Sequence, residues 1–530
     1  MPRILRPREW KTADSRPIIA IDRSDVRGAL LVRVVESGDF DRLSTRADPF
    51  HTTILREDAG DVVTFRLERP LRDWGYIVFV TPAEEPDRLL AKSGFMVRDR
   101  FGGLTFPLSG PRAHAAFQGA VLPSLPPAAI DVAADGSVPR RLNIVLPTLL
   151  KRHFSGGPNT ALALGQVLAE HGIPVNFLST DTGAEEDEAF LVEHLAVLTG
   201  IRNPRGAVTF SPANDYSRPA TIGHTDIMLG TAWWTVQKFR HCLEALRTPR
   251  FVYLIQEYEP ALYPHSMQFA LAAETYRLDH LPIYNHRFLY DYFSANRIGS
   301  RAAAPPARRS PWLRRDAPQA GGDETWFDPV IDPAHFHYDE AAHDGPERKL
   351  LFYARPTVAV RNLFELGYAA LAKVVGEGSF ADSWRLCSMG ESVGDVYLPH
   401  GKVMEELPWQ DFAHYAASMR SCDVLLSLML SPHPSYPPLE GAASGAIVVT
   451  NEFANKTAAA FARISANIIA VPPSIDDVAR GLREAIARVE ARDRRRAASR
   501  LSLPASWSEA LAPAAKRIIE FWNRSDAARR

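Results

Sequence analysis

Ser431-Pro432-His433-Pro434-Ser435-Tyr436-Pro437-Pro438-Leu439-Glu440-Gly441-Ala442-Ala443-Ser444-Gly445-Ala446-Ile447-Val448-Val449-Thr450-Asn451 is the stretch whose reading decides the fold. Before it, Val424 to Leu430 is a nearly unbroken apolar run of the kind buried in a parallel sheet. Proline is tolerated in the first turn of a helix, so Pro437-Pro438 marks a helix start. Glu440 is expected in that first turn, Gly445 at the helix end, and Ile447-Val448-Val449 in the next strand. This sequence of strand, rigid loop, helix and strand leaves free N–H groups at the carboxyl edge of a parallel sheet. Ligands of open α/β sheets bind there. A diphosphate suits the N–H groups, and Glu440 suits a sugar hydroxyl as acceptor. A tight strand-to-helix turn with no ligand is the plain alternative.

Outward from this loop, the C-terminal half repeats strand and helix. Lys349 to Tyr353 reads as a strand ending at Ala354-Arg355-Pro356, followed by a helix from about Asn362. Trp384–Cys387 and a helix at Gln410–Met419 continue the series. An arginine at a sheet's carboxyl edge, ahead of a helix, suits bidentate contact with phosphate, which makes Arg355 a candidate. Arg361 and Lys402 are candidates for a second cation.

The same alternation begins earlier, at Arg141. Leu142–Leu146 is a buried strand, and Gly156-Gly157 opens a helix whose Ala161, Leu164 and Leu168 share a face. Glycine there lets backbone approach a phosphate closely. Val175–Leu178 and Asp226–Leu229 are further strands, the latter followed by Trp233-Trp234. Two adjacent tryptophans either line a sugar cleft or divide between core and loop support. Phe251–Ile255 is a strand followed by Gln256-Glu257-Tyr258-Glu259-Pro260-Ala261-Leu262-Tyr263-Pro264. Acidic and aromatic residues past the end of a buried strand are placed for ligand. Glu257 and Glu259 are candidates for acceptor hydroxyl contacts, with capping or surface charge as the alternative.

Residues 1 to 135 differ. Short β-type runs at Pro17–Ile21, Ala29–Val34, Asp61–Leu67, Tyr76–Val80 and Leu104–Leu108 predict a small antiparallel β domain. Asp39-Phe40-Asp41 has the spacing of a metal-binding DxD but sits in a turn-rich segment and reads as a solvated loop. Pro123–Ala129 and Asp135–Ser137 read as linker, as does the Arg-, Ala- and Pro-rich 297–322. The basic run Arg492–Arg500 reads as a solvated helix end, with anionic lipid contact as the sharper alternative. A net charge of −1 gives no sign of a nucleic-acid partner. The 3 cysteines have no CxxC or zinc spacing, and no apolar run reaches the ~18 residues that span a bilayer. Met1–Lys11 carries charge but no h-region, so a cytoplasmic location is expected.

The loop Pro432–Glu440 resembles the nucleotide loop of retaining GT-B glycosyltransferases, most closely the rhamnosyltransferases of the WsaF type, whose loop commonly reads like "PHPSYPPLE". Gln256–Pro264 resembles the "QDYEP…YP" loop of the same enzymes. Of the two glutamates separated by seven residues in the wider group, the second matches Glu440 and the first position is Pro432. The resemblance covers roughly residues 141–475. It implies an α/β GT-B fold of two Rossmann-like lobes with parallel sheets, preceded by a small β-rich domain. The expected divisions are a β-rich domain at 1–135, an acceptor lobe at 141–296, a linker at 297–325, a donor lobe at 326–505 and a returning C-terminal helix at 506–530. Expected donor contacts are Gly156, Gly157, Arg355, Ser435, Tyr436, Pro438, Leu439 and Glu440. Arg355, Glu257 and Glu259 are expected to serve catalysis, and Trp233, Trp234, Tyr258 and Tyr263 to line the acceptor cleft. The implied reaction moves rhamnose from dTDP-L-rhamnose to a growing surface glycan, with no metal and no cofactor. A lipid-linked acceptor and peripheral contact with the inner face of the membrane belong to the same expectation. Another GT-B nucleotide-sugar enzyme, an epimerase included, and a non-catalytic glycan-binding subunit are the alternatives.

Overall fold

The computed structural model describes residues 3–5, 18–36, 50–97, 125–299 and 324–527, apart from short stretches at 25, 58–59, 70, 72–74, 87, 93–95, 155, 183–186, 357–358, 392–394 and 409. Asp39-Phe40-Asp41, the run Leu104–Leu108 and most of the 297–322 segment lie outside the described residues. The N-terminal part forms two antiparallel sheets. Arg3–Leu5, Ile18–Asp22 and Val62–Arg66 make one, and Phe50–Leu55, Leu30–Glu36, Gly75–Pro82, Ala91–Lys92 and Met96–Val97 the other. Val32, Val34, Val78 and Val80, at alternate positions of neighbouring strands, share one buried cluster.

Seven strands form the first parallel sheet: β1 (Leu142–Leu146), β2 (Val175–Ser179), β3 (Val208–Pro212), β4 (Ile227–Gly230), β5 (Phe251–Ile255), β6 (His280–Asn285) and β7 (Thr325–Phe327). Their order is β3-β2-β1-β4-β5-β6-β7, the doubly wound order with its switch point between β1 and β4. Helix α1 (Gly156–Glu170) connects β1 to β2. Both faces of the sheet are covered, so its central strands are buried at every position rather than at alternate ones. Along β5, Val252 and Leu254 join one core cluster while Phe251, Tyr253 and Ile255 join another on the opposite face.

The second lobe repeats the scheme with β8 (Arg348–Ala354), β9 (Trp384–Gly390), β10 (Val396–Tyr397), β11 (Val403–Glu406), β12 (Val424–Leu426), β13 (Ile447–Asn451) and β14 (Ile468–Val471). Their order is β10-β11-β9-β8-β12-β13-β14, with only β10 antiparallel. The apolar run Val424–Leu430 is strand only as far as Leu426. Beyond it, Asn451 accepts from the Met429 N–H at 2.7 Å and donates to the Met429 carbonyl at 3.1 Å, which holds the chain as an ordered loop.

Two boundaries differ from the sequence expectation. Residues assigned to the end of the N-terminal domain and its linker join the first lobe: Ile130–Ala133 pairs in parallel with Ala220–Gly223, and Ala128 and Ile130 lie in the first lobe's core. β7 belongs to the first sheet although it follows the long Arg- and Pro-rich segment. The C-terminal helix runs Trp507–Ala527, and its Leu511, Ala514, Ala515, Ile518 and Phe521 are part of the first lobe's core. The basic run Arg492–Arg500 is largely exposed, with Arg495 as the exception. Arg495 is buried with Nη1 3.0 Å from Asp423 Oδ1, and Arg492 and Arg496 pair with Asp344 and Glu340.

Candidate active site

The carboxyl edges of the two sheets meet, and the decisive stretch lies between them. After Ser431 the chain turns through His433 into helix α2 (Tyr436–Ala443). Ser435 caps that helix at φ 68 and ψ 152, a region populated essentially by glycine, and its side chain makes no capping bond. A non-glycine residue is held there only when its surroundings over-determine the backbone, and such strain clusters at ligand sites. Gly445, at φ +87, ends the helix turn with its N–H on Ala442.

Glu440 is not in the first turn of α2. The helix starts at Tyr436, so both prolines fall within the first turn and Glu440 in the second. The Tyr415 hydroxyl donates to Glu440 Oε2 at 2.5 Å. Burial pushes the Glu440 carboxyl up to about 7, with the Tyr415 bond pulling the other way. The Tyr353 hydroxyl shares this neighbourhood. Burial raises its pKa first, Arg355 and Arg361 lower it, and Glu440 and Glu391 raise it. Arg355 itself stands at the end of β8, with Nε 3.3 Å from Glu391 Oε1.

Opposite this wall, Glu257 reaches across from the end of β5. It is buried, accepts from the Ser431 hydroxyl of the second lobe, and lies 3.2 Å from Arg361 Nη2 through its other oxygen. Arg361 is therefore a cleft cation. Lys402 stands just before β11, at the amino edge of the second sheet, on Ala381 and Asp382. Lys456 is a cation that sequence reasoning missed. It is fully buried past the end of β13, donates to the Met429 carbonyl at 2.6 Å, and is pushed down to about 7 by burial. The signal that drew attention to Arg355, a cation just past a strand end, was present there too.

Tyr436 joins the lobes. Its hydroxyl lies 3.0 Å from Thr160 Oγ1, on α1, and 3.4 Å from Asn285 Nδ2, at the end of β6. A Cβ on Gly156 would fall 2.9 Å from the Tyr436 ring, and one on Gly157 3.6 Å from the Gln256 side chain. Gly156 thus faces the second lobe's loop at close range, and Gly157 faces the loop after β5. Pro438 and Leu439 are buried in α2, and Leu439 packs into the second lobe's core.

Glu259 has a different neighbourhood. It accepts from the Trp233 backbone N–H at 2.7 Å, at the start of the helix Trp233–Phe239, and from the Tyr253 hydroxyl at 3.3 Å. Burial pushes its carboxyl up to about 8. Its place is that of a helix cap. Trp233 is buried, with Nε1 donating to the Tyr263 hydroxyl at 3.0 Å, while Trp234 is half-buried at its edge. Tyr258 stacks among Tyr276, Tyr292 and Phe293. Of the four aromatic residues expected to line an acceptor cleft, Trp233 and Tyr258 are thus chiefly packing groups. Among the described residues, no group of three or more His, Cys, Asp or Glu is placed to hold a metal ion.

Two doubly wound parallel sheets, joined through a cleft at their carboxyl edges and tied by a C-terminal helix returning to the first, define a GT-B architecture. Each lobe also matches a family model: residues 141–286 match the N-terminal domain of WsaF and residues 348–483 its C-terminal domain. The O-antigen biosynthesis protein RfbC of Myxococcus xanthus is 32% identical over 268 residues. That match covers 50% of this chain and only 18% of RfbC. Among solved structures, Anabaena Alr3699/HepE in complex with UDP and glucose matches 73% of this chain and all of its own, at 11% identity and a TM-score of 0.45. Sucrose-phosphate synthase from Thermosynechococcus elongatus matches 74% of this chain and all of its own, at 10% identity and a TM-score of 0.46.

Proposed function

We propose that this chain is a glycosyltransferase, and more narrowly a retaining rhamnosyltransferase that uses dTDP-L-rhamnose to extend a surface glycan. The observation that carries the reading is the convergence of Arg355, Arg361 and the strained N-terminus of α2 on one cleft, within lobes that both match WsaF domains. The match to a protein of O-antigen biosynthesis supports the glycan part.

The chemistry follows from charge. As the bond from the sugar carbon to the diphosphate oxygen breaks, negative charge collects on the departing diphosphate. Guanidinium groups and backbone N–H donors already aimed at that place stabilise it with little reorganisation. Arg355 and Arg361 are the guanidinium groups; Pro437 and Pro438 carry no N–H, so the backbone donor in the first turn of α2 is the Tyr436 N–H. Glu440 takes a hydroxyl of the nucleotide's sugar. The acceptor hydroxyl attacks from the first lobe on the face the diphosphate leaves and passes its proton to the departing diphosphate oxygen, so no enzymic nucleophile is assigned. Peripheral contact with a membrane and a lipid-linked acceptor remain part of the proposal; among the described residues no helix is long and apolar enough to cross a bilayer.

A thermal-shift panel of dTDP-, UDP- and GDP-sugars tests the donor, since a ligand at ~100 times its dissociation constant adds ~2.7 kcal/mol of apparent stability. Preferential stabilisation by dTDP-L-rhamnose, with its turnover onto a rhamnan acceptor, is the expected result. Binding without turnover of any sugar nucleotide favours a glycan-binding subunit. Turnover in excess EDTA tests the absence of a metal requirement, and activity lost there and restored by magnesium or manganese overturns it.

A further inference from the structure

One buried polar group in the cleft is used by nothing described so far. His433 is 4% exposed, and its two ring nitrogens are treated unequally. Nδ1 accepts the Ser435 backbone N–H at 3.0 Å, while Nε2 has no hydrogen-bond partner. A neutral imidazole that accepts at Nδ1 must carry its proton on Nε2. Burial keeps the ring neutral, and the neighbouring cations Arg361 and Lys456 act in the same direction. His286, whose ring centroid is 6.4 Å away, is also neutral: burial pushes it down to about 3. The result is a fixed N–H donor, buried and unpaired, two residues before the strained cap of α2. An orphaned buried donor costs stability, and in a native structure it calls for an explanation.

The surroundings specify the partner. The basic groups beside the ring are Arg361 and Lys456, the latter pushed down to about 7 by burial, and the Tyr436 N–H that opens α2 follows shortly after it. Glu257 answers part of this charge, and an unpaired N–H donor beside the remainder calls for an acceptor oxygen that is itself anionic. Resting on the glycosyltransferase reading above, we propose that His433 is a substrate-binding residue whose Nε2–H donates to a diphosphate oxygen of the bound nucleotide sugar. The Ser435 N–H thereby acquires a second role, because by occupying Nδ1 it fixes the tautomer that makes the donor.

Two variants of the full chain separate this from a purely structural role. His433→Asn places an acceptor near Nδ1, so it can still receive the Ser435 N–H, but it has no donor at the Nε2 position. His433→Gln can present an N–H near Nε2 and gives up the local acceptor. Calorimetric titration with dTDP and with dTDP-L-rhamnose, after a check of folding by circular dichroism, reads the difference. The expected result is that His433→Asn weakens both ligands about tenfold, while His433→Gln stays within about threefold of the parent. Equal binding by His433→Asn with weakened binding by His433→Gln makes His433 a loop cap and overturns the proposal. A loss by His433→Asn confined to dTDP-L-rhamnose places the contact on the sugar and overturns the diphosphate assignment. Failure of the parent chain to bind any nucleotide diphosphate instead shows itself without a variant, and removes the glycosyltransferase reading along with this inference.

Discussion

Arg355 and Glu440 divide the proposed donor site between chemistry and binding. On the proposed reading Arg355 faces the charge that grows in bond breaking and Glu440 only binds, so Arg355→Ala should lower kcat on the order of 10²-fold at saturating donor. Glu440 meets a hydroxyl that the reaction leaves unchanged, so Glu440→Gln should chiefly raise the donor KM, about tenfold. Its carboxyl, raised to about 7 by burial, must ionise to accept at full strength. In initial-rate assays kcat/KM for the donor should therefore rise with pH through about 7, and Glu440→Gln should abolish that limb. An unaltered limb in the variant assigns it to another group. Glu259 gives a second pH prediction, this one on stability. Its folded-state pKa of about 8 lies above the ordinary 4.5, so the folded protein holds the proton more tightly than the unfolded chain. Stability from this group thus falls as pH rises from about 4.5 to about 8. Glu259→Gln keeps an acceptor oxygen for Trp233 without the charge, so its melting temperature should gain on the parent's across that window. A constant difference from about pH 5 to 8 would show that Glu259 does not titrate there. Arg355 and Glu440 were legible in the sequence because a strand end and a helix start locate them. Lys456 and the unpaired nitrogen of His433 were not, because burial and hydrogen-bond partners depend on how distant segments pack around them.

At the level of elements, the sequence foretold the strand–loop–helix–strand step and misjudged its phase. Two consecutive prolines mark a helix start, but they do not say which is the first helical residue. Tyr436 takes that place, with its hydroxyl anchored on Thr160 and Asn285. This moves Glu440 into the second turn, beneath Tyr415 rather than at the helix start. The anchoring also explains the strain at Ser435, since the chain must leave the His433 ring and enter a helix whose first side chain is already fixed. Ser435→Gly removes a Cβ from a conformation that costs ~1–3 kcal/mol for other residues, while giving back ~0.5–1 kcal/mol of unfolded-chain entropy. The variant should be more stable by about 1 kcal/mol in urea unfolding, whereas Ser435→Ala should be close to neutral. If Ser435→Gly destabilises, the backbone there is not strained and the strain argument for a ligand site falls with it.

At the level of the whole molecule, periodicity in the sequence revealed two α/β lobes but could not say which short segments each lobe recruits. Ile130–Ala133 is only four residues long and follows a proline-rich stretch, so its sequence does not separate it from the N-terminal domain. Its role appears only in the fold, where it runs parallel to Ala220–Gly223. There the Ala128 N–H bonds to Lys238, the Ala129 N–H to Ala213, and the Ala129 carbonyl accepts from Ala220. β7 and the C-terminal helix have the same character: both lie outside the first lobe's continuous span in sequence yet complete it. The first lobe is thus closed by three such pieces, and cutting at the apparent boundary removes one of them. A chain beginning at residue 125 should fold and bind dTDP as the full chain does, because the two antiparallel sheets before it contribute no residue to the cleft contacts described. A chain beginning at 135 loses the Ile130–Ala133 strand and the burial of Ala128, Ala129 and Ile130. Side-chain burial on this scale, together with the backbone hydrogen bonds it accompanies, should cost roughly 3 kcal/mol. Urea unfolding of the two shortened chains, followed by dTDP titration, decides the matter. Equal stability would mean that the strand is an ornament on the lobe, and weak dTDP binding by a folded 125-chain would give the N-terminal sheets a part in the site.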